Sequence, residues 1–405
     1  MPSPTDMVRQ PAQGMPPSGR PLDVHDPAKG PSYYDVSMLK PPVWKWQIAT
    51  YFFLGGLSAG AFVLARIAER FGGEEFRQIT RFGTYTAILA AAPCPLLLID
   101  DLGDRSRFHH MLRVWKPSSP MNLGTWVLTA ITPIAGAAAL REFFRHRDHL
   151  RALPAASKVR RLVRRGERVL RRQAPPGMLN VVSGSIGVIA DAAGVPLAFL
   201  LATYTGVLIS NTATPVWTQN KWLSPLFAVG AMSTGATAIG LAMEMTRASG
   251  APESRAERAL RHFSTAAHVA EIAAFSGYLA SLKGRIRHPF TRGTMKHHTL
   301  YTFAGLAVAE TLKHWPASAG GGKLLKIAGH LASLSSAFSV RWSVVYAAHE
   351  SGKDAEAARM VSRAKSPAQY GWLKGAERPE RTAGIADPQA ISTLDPALKI
   401  NPRHR

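Results

Sequence analysis

Hydrophobic residues in this chain gather into long uncharged runs separated by short, heavily charged blocks. The runs last about 18 to 29 residues, and about 20 apolar residues at a rise of 1.5 Å each cross the roughly 30 Å hydrocarbon layer of a bilayer. The pattern predicts an all-α, polytopic membrane protein with about eight transmembrane helices. The first span follows Pro41-Pro42 and the aromatic pair Trp44 and Trp46, which suit the headgroup layer, and runs uncharged from Gln47 to Ala65. Gly55, Gly56 and Gly60 leave one side of it thin enough for another helix backbone to approach. The second span covers about Phe82 to Ile99, with Pro93-Cys94-Pro95 expected to kink it, and the third about Asn122 to Leu140. The fourth lies within about 180 to 211 and is followed by a turn from Trp217 to Trp222; the fifth runs from about Leu223 to Met243. The remaining three are expected at about 263 to 282, 298 to 315 and 325 to 348.

The intervening segments are of a different kind. Residues 1 to 40 are rich in Pro, Gly and Ser, contain no apolar stretch suited to a signal peptide, and read as a disordered or partner-draped tail. Residues 351 to 405 read as a polar tail with little fold of its own. In the arginine block, 141 to 173, Val159, Leu162, Val163, Val169 and Leu170 recur at helical spacing, as in a helix lying on an anionic leaflet; a solvated basic loop is the plainer alternative. Positive charge flanking the spans orients the protein with its N-terminus outside the inner (plasma) membrane and the arginine block in the cytoplasm, although Lys283, Arg285, Arg287, Arg292 and Lys296 then fall on the outer side.

Totals alone would suggest something else. A net charge of +23 over 405 residues and a sequence pI near 10.6 resemble those of a nucleic-acid binder, yet the charges sit in blocks between membrane-length runs, so no nucleic-acid partner is expected. The mean hydropathy of −0.03 reflects dilution by tails and loop. Cys94 is the only cysteine, so this protein cannot itself build a Cys-ligated iron–sulfur cluster or an internal disulfide, and any such cluster belongs to a partner.

Alternating spans bring the start of the first, the end of the second, the start of the third and the end of the fourth to one membrane face, whichever way the protein inserts. Tyr51, Asp100, Asp101, Asn122, Tyr204 and Asn211 therefore approach one leaflet together, with His109 and His110 in the loop between Leu98 and Trp126. An apolar bay with hydroxyl, amide or imidazole donors and a proton-exchanging carboxylate suits a quinone. Each residue has a duller role open to it: the acids as span terminators, the histidines as surface groups, the tyrosines as interfacial anchors, Asn122 as an N-cap. Glu271 and Arg341 lie deep in apolar segments, where a charge is costly; they are either a salt bridge tying helices together or part of a proton path. Haem is not expected, because His268, His330 and His349 sit near span ends without partners at matching depth.

Four stretches, WQIATYFFLGGLSAGAF (46–62), LIDDLGDRSRFHHMLRVWKPSSPMNLGTW (98–126), AFLLATYTGVLISNTATPVW (198–217) and SVRWSVVYAAHESG (339–352), resemble the NrfD-type family of membrane subunits of polysulfide reductase and related complexes. The resemblance covers roughly residues 40 to 352. It implies two four-helix bundles, about 44–212 and 222–349, within a membrane domain of 41–350. It also implies a menaquinone or ubiquinone site beside an iron–sulfur electron-transfer subunit, with a molybdopterin-containing catalytic subunit beyond it and no redox centre in this protein. Asp101 of Asp-Leu-Gly becomes the proton-exchanging carboxylate, and Tyr204 of Tyr-Thr-Gly a quinone contact. Tyr51 stands where the family usually has histidine, Asp104 where many relatives have arginine, and Arg341 matches a family arginine. The residues expected to act are thus Asp101, Glu271 and Arg341 on protons, and Tyr51, Asp100, His109, Asn122 and Tyr204 around the quinone. The rival reading is a transporter-like subunit in which Glu271, Arg341 and Asp191 line an ion path without quinone chemistry; a purely structural anchor is a third.

Overall fold

The described residues of the computed structural model are 39, 40, 42–151, 178–218, 220–248, 251–315 and 322–369. The tail expected over 1–40 lies almost wholly outside them, as do the body of the arginine block (152–177) and residues 370–405.

Every long apolar run has become a helix. They are α1 (Trp46–Phe71), α2 (Arg77–Ala91), α3 (Cys94–Asp100), α4 (His110–Arg113), α5 (Pro120–Arg151), α6 (Met178–Ile189), α7 (Val195–Ser210), α8 (Leu223–Thr246), α9 (Arg255–Ser281), α10 (His288–Thr291), α11 (Lys296–Lys313), α12 (Gly322–Lys353) and α13 (Ala355–Gln369). Local chemistry sets the ends. The Gly72 N–H closes α1 on the Ala68 carbonyl, and Gly73 turns the backbone at φ 62°, a left-handed conformation that suits glycine. The second expected span breaks at the expected proline: Pro93 caps α3, so α2 and α3 are two pieces of one crossing. The fourth is continuous but contains a π-helical turn over 190–194 just before Pro196. Ser254 and Glu257 form a reciprocal capping box at the start of α9.

Five stretches, Trp46–Phe71, Glu74–Asp100, Pro120–Arg145, Gly184–Ser210 and Leu223–Thr246, are long and apolar enough to cross a membrane. Helices α9, α11 and α12 stand where the other three spans were expected but are less apolar. Their buried side explains why: Ser264, His268, Glu271, Thr302, Ser333, Ser336 and Arg341 are buried, while the exposed positions include Phe263 and Val269 on α9, Leu300, Tyr301 and Val308 on α11, and Leu324 and Leu331 on α12. Grease outside and polar groups inside is the arrangement of helices that face lipid. The molecule is a multi-pass, all-helical membrane protein.

Helix α1 is the inner one, with 83% of its apolar stretch buried against 33% for α2–α3, α5 and α6–α7. It packs on α2, α3, α7, α8 and α12. A Cβ on Gly60 would strike the Ala231 carbonyl, and one on Gly235 the backbone of Gly60 and Ala61, so α1 and α8 meet backbone to backbone. Helix α8 also packs on α2, α7, α9 and α12, and α11 pairs with α12.

The C-terminal segment departs from expectation. Where a polar tail is expected from residue 351, α12 continues to Lys353 and α13 follows, capped by Asp354, whose Oδ1 accepts the N–H groups of Glu356 and Ala357 at 2.9 and 3.1 Å. Ala355, Ala357 and Ala358 are buried; alanines among charges make this amphipathic turn look like tail. One packing unit extends to Val361, and a second, beginning at Ser362, contains the last turns of α13.

Candidate functional site

At the membrane face where α1 begins, a cavity of about 70 Å³ is lined by Tyr51, Asp101 and Tyr204 among apolar side chains. Trp44, Ile48, Phe52, Leu98 and Leu208 form its walls, and Met111, Met121 and Thr125 complete it from α4 and α5. Three different crossings thus deliver one polar group each, as span alternation requires.

Each group is fixed by its surroundings. Tyr51, on the buried side of α1, and Tyr204 of α7 are hydrogen-bonded hydroxyl to hydroxyl. Tyr204 has room because residue 124 is glycine: a Cβ there would enter its ring. Asp101 follows the last residue of α3, so the break at Pro93 sets where its carboxylate points. Its backbone neighbour across the site is Lys45, whose N–H it accepts. Burial pushes its pKa above the usual aspartate value; the Lys45 charge opposes this and Asp100 adds to it. Trp44 is held by Trp217, 5.5 Å away between ring centroids, and by His349, whose Nε2 donates to the Trp44 carbonyl at 2.7 Å.

The other expected residues go elsewhere. Asp100 turns from the cavity, accepting from Gln47 Nε2 at 2.8 Å and pairing with Arg105 at 2.6 Å. Asn122 staples the loop: its Oδ1 accepts the Lys116 N–H, and its Nδ2 donates to the carbonyls of Val114 and Met111. His109 is exposed, edge-on to Phe108 and His110. Asn211 donates to the Val207 carbonyl of its own helix. Asp191, expected on the rival ion path, pairs with Arg66 at 2.8 Å, and Arg66 also pairs with Glu69. Glu271 and Arg341 lie away from the cavity and pair with each other at 2.6 Å, with Ser233 donating to Glu271.

A second buried polar group escaped sequence reasoning. His268 Nδ1 meets Glu310 Oε1 at 2.8 Å, and Lys313 Nζ meets the same oxygen at 2.5 Å. The signal was present: Arg261, Ser264, His268 and Glu271 recur at steps of three and four on one helical face, and Glu310 and Lys313 are three apart.

Comparison with known proteins agrees with the fold. The family described as polysulphide reductase, NrfD, matches residues 35–348. The C component of the polysulfide reductase of Wolinella succinogenes is 40% identical over 95 residues, 23% of this protein and 30% of that one. The C component of the selenate reductase of Mesobacillus selenatarsenatis is 33% identical over 76 residues, 19% of this protein and 18% of that one. The matched segments therefore span less than a third of either relative.

Proposed function

The chain belongs to the NrfD polysulphide reductase family, and on that footing we propose that it is the quinone-binding membrane anchor of a multi-subunit respiratory oxidoreductase. The observation that carries this is the cavity in which Tyr51, Tyr204 and Asp101 come together at a membrane face.

The donor set suits a quinone headgroup. Two phenolic hydroxyls now bonded to each other can turn to a carbonyl oxygen, and Trp44, Phe52 and Leu208 offer an apolar wall. The cavity is small for a substituted ring, but Met111 and Met121 on its lining are unbranched and adapt at low cost. A bound quinone would supply the exchange of two electrons and two protons. The protein's own residues orient and protonate: Tyr51 and Tyr204 hold the carbonyl, and Asp101, at the end of α3 and only partly buried, passes protons between the cavity and water. Asp100, tethered to Gln47 and Arg105, keeps negative charge beside Asp101 and helps hold its proton affinity up.

Electrons enter or leave through a neighbour, since one cysteine cannot ligate a cluster. Both relatives are named as one lettered component of a reductase. Those names support further subunits beside this one, to which we assign the roles of an iron–sulfur electron-transfer partner and, beyond it, a molybdopterin-containing partner. Positive charge at the ends of α1, α8 and α11, from Arg70, Arg247 and Lys313, supports an orientation with the cavity face outside; an inner membrane location is part of the proposal. The test is the purified complex carrying Asp101→Asn and Tyr204→Phe together. Loss of quinone reactivity with the complex intact is expected; full retention would remove the assignment.

A further inference from the structure

The face that carries the quinone cavity holds a second, larger opening of about 490 Å³. It lies between the turn after α9, the start of α11 and the end of α12, with Arg285, His288, Tyr346, His349, Glu350 and Lys353 on its lining. His349 donates to the carbonyl of Trp44, just ahead of α1, which fixes the opening at that face. Its acids are satisfied from within the protein. Glu350 accepts the Thr294 N–H and hydroxyl at 2.9 and 2.8 Å and faces His288 at 3.3 Å, and Asp354 pairs with Arg285 at 3.1 Å. Lys353 is a different case: it is exposed on the rim and makes no ion pair among the described residues. The same holds for Lys283, Arg292, Lys296 and Arg359 in the adjoining segments. Three of these, Lys283, Arg292 and Lys296, belong to the charges that fall on the outer side against the usual bias, and an uncompensated basic surface beside a bilayer attracts anionic headgroups. Below the opening the surface turns aromatic. Tyr346 stacks on Trp342 with ring centroids 4.4 Å apart, Trp342 meets Phe338 at 5.7 Å, and Phe338 meets Phe53 of α1 at 5.5 Å, all of them half-buried. Residues 338, 342, 346 and 349 recur at steps of three and four on one face of α12, and the rise from His349 to Phe338 is about 16 Å, half the hydrocarbon thickness.

We infer that the opening and the stripe together form a site for one anionic phospholipid. Its headgroup occupies the opening, with the phosphate drawn to Lys353 at the rim, and an acyl chain lies along Tyr346, Trp342 and Phe338. The stripe is what favours a lipid over the other anions. A soluble phosphate needs only the rim, and an acidic protein surface could match the cations but would leave the recess and the rings beneath it uncovered, at a depth that a hydrocarbon chain reaches. Trp44, whose carbonyl His349 holds, is also a wall of the quinone cavity, so the lipid adjoins that cavity without entering it.

The test reads bound lipid directly, by native mass spectrometry of the full-length protein released from detergent micelles, so its failure is distinct from failure of the quinone assignment. Dioleoyl phosphatidylglycerol is expected to be retained at one molecule per protein, at least ten-fold more tightly than dioleoyl phosphatidylcholine, which has the same chains and no net charge. Lys353→Glu should weaken that retention at least ten-fold and Lys353→Arg should keep it. Lys221→Glu, the same charge change at an exposed residue of the same face outside the opening, should leave it within two-fold, and glycerol phosphate should not displace the lipid. Equal retention of the two lipids, equal losses in the Lys353→Glu and Lys221→Glu variants, or displacement by glycerol phosphate would overturn the lipid site. Unchanged lipid retention in Lys353→Glu, with loss of co-purifying subunits from the complex, would overturn it in favour of a protein partner at the rim.

Discussion

Asp101 is the residue whose surroundings most decide its behaviour. Burial raises its pKa, so the native state holds its proton more tightly than the unfolded polypeptide does. Its contribution to stability is therefore present at acid pH and is lost as pH rises from the unfolded value through the raised native one. It is the charged form that burial disfavours. Asp101→Asn should thus leave the melting temperature in detergent unchanged or slightly raised while lowering quinone turnover by about 10²-fold, the usual scale for a lost proton-transfer group. In the unsubstituted complex, the pH at which Asp101 loses its proton should lie above that of an ordinary aspartate, as read from the carboxyl band in an infrared titration. Gly124 gives a sharper test of geometry. Gly124→Ala pushes a methyl group into the Tyr204 ring, and weaker quinone binding with the helix content unchanged in circular dichroism is the expected result. Which residues surround the site was readable from span alternation for Tyr51, Asp101 and Tyr204. Asp100, Asn122 and His109 belong to the same stretch but face a salt bridge, a loop and water, because adjacent residues on a turn point in different directions.

Helices were legible where their interiors are apolar and their ends carry proline, glycine or a capping pair. The start of α1 and both ends of α8 fall within a few residues of their expected limits. The eighth expected span, 325 to 348, is shorter than α12 because the residues beyond it, Lys323 at one end and His349, Glu350 and Lys353 at the other, look like span limits, although Ser351 and Gly352 are buried. The contact between α1 and α8 is governed by small residues, and Gly60→Val should part the two backbones. A loss of about 1 to 3 kcal/mol, the range for overpacking a tight interface, is expected in reversible unfolding in mixed micelles. Pro93 acts at the same scale: by ending α2 and restarting the helix as α3, it carries Asp101 towards α1.

Across the whole molecule, the Glu271–Arg341 pair connects α9 to α12 deep inside the protein. Breaking one side leaves a buried charge alone, and Glu271→Gln should cost about 3 to 5 kcal/mol in unfolding free energy. Replacing both, Glu271→Gln with Arg341→Met, should recover most of that loss, as a double-mutant cycle would record. The pair and the Tyr51–Tyr204 contact sit on different helices, α9 and α12 against α1 and α7. The sequence by itself determined the membrane class, the positions of the helices and the face on which Asp101 and the two tyrosines meet, because hydrophobic length and strict alternation are one-dimensional properties. Only the tertiary structure decided that His268, Glu310 and Lys313 share one buried cluster and that Glu271 faces Arg341, since His268 and Glu271 meet partners 42 to 70 positions away. The rotation of each helix about its own axis, which no run of apolar residues encodes, brings them together.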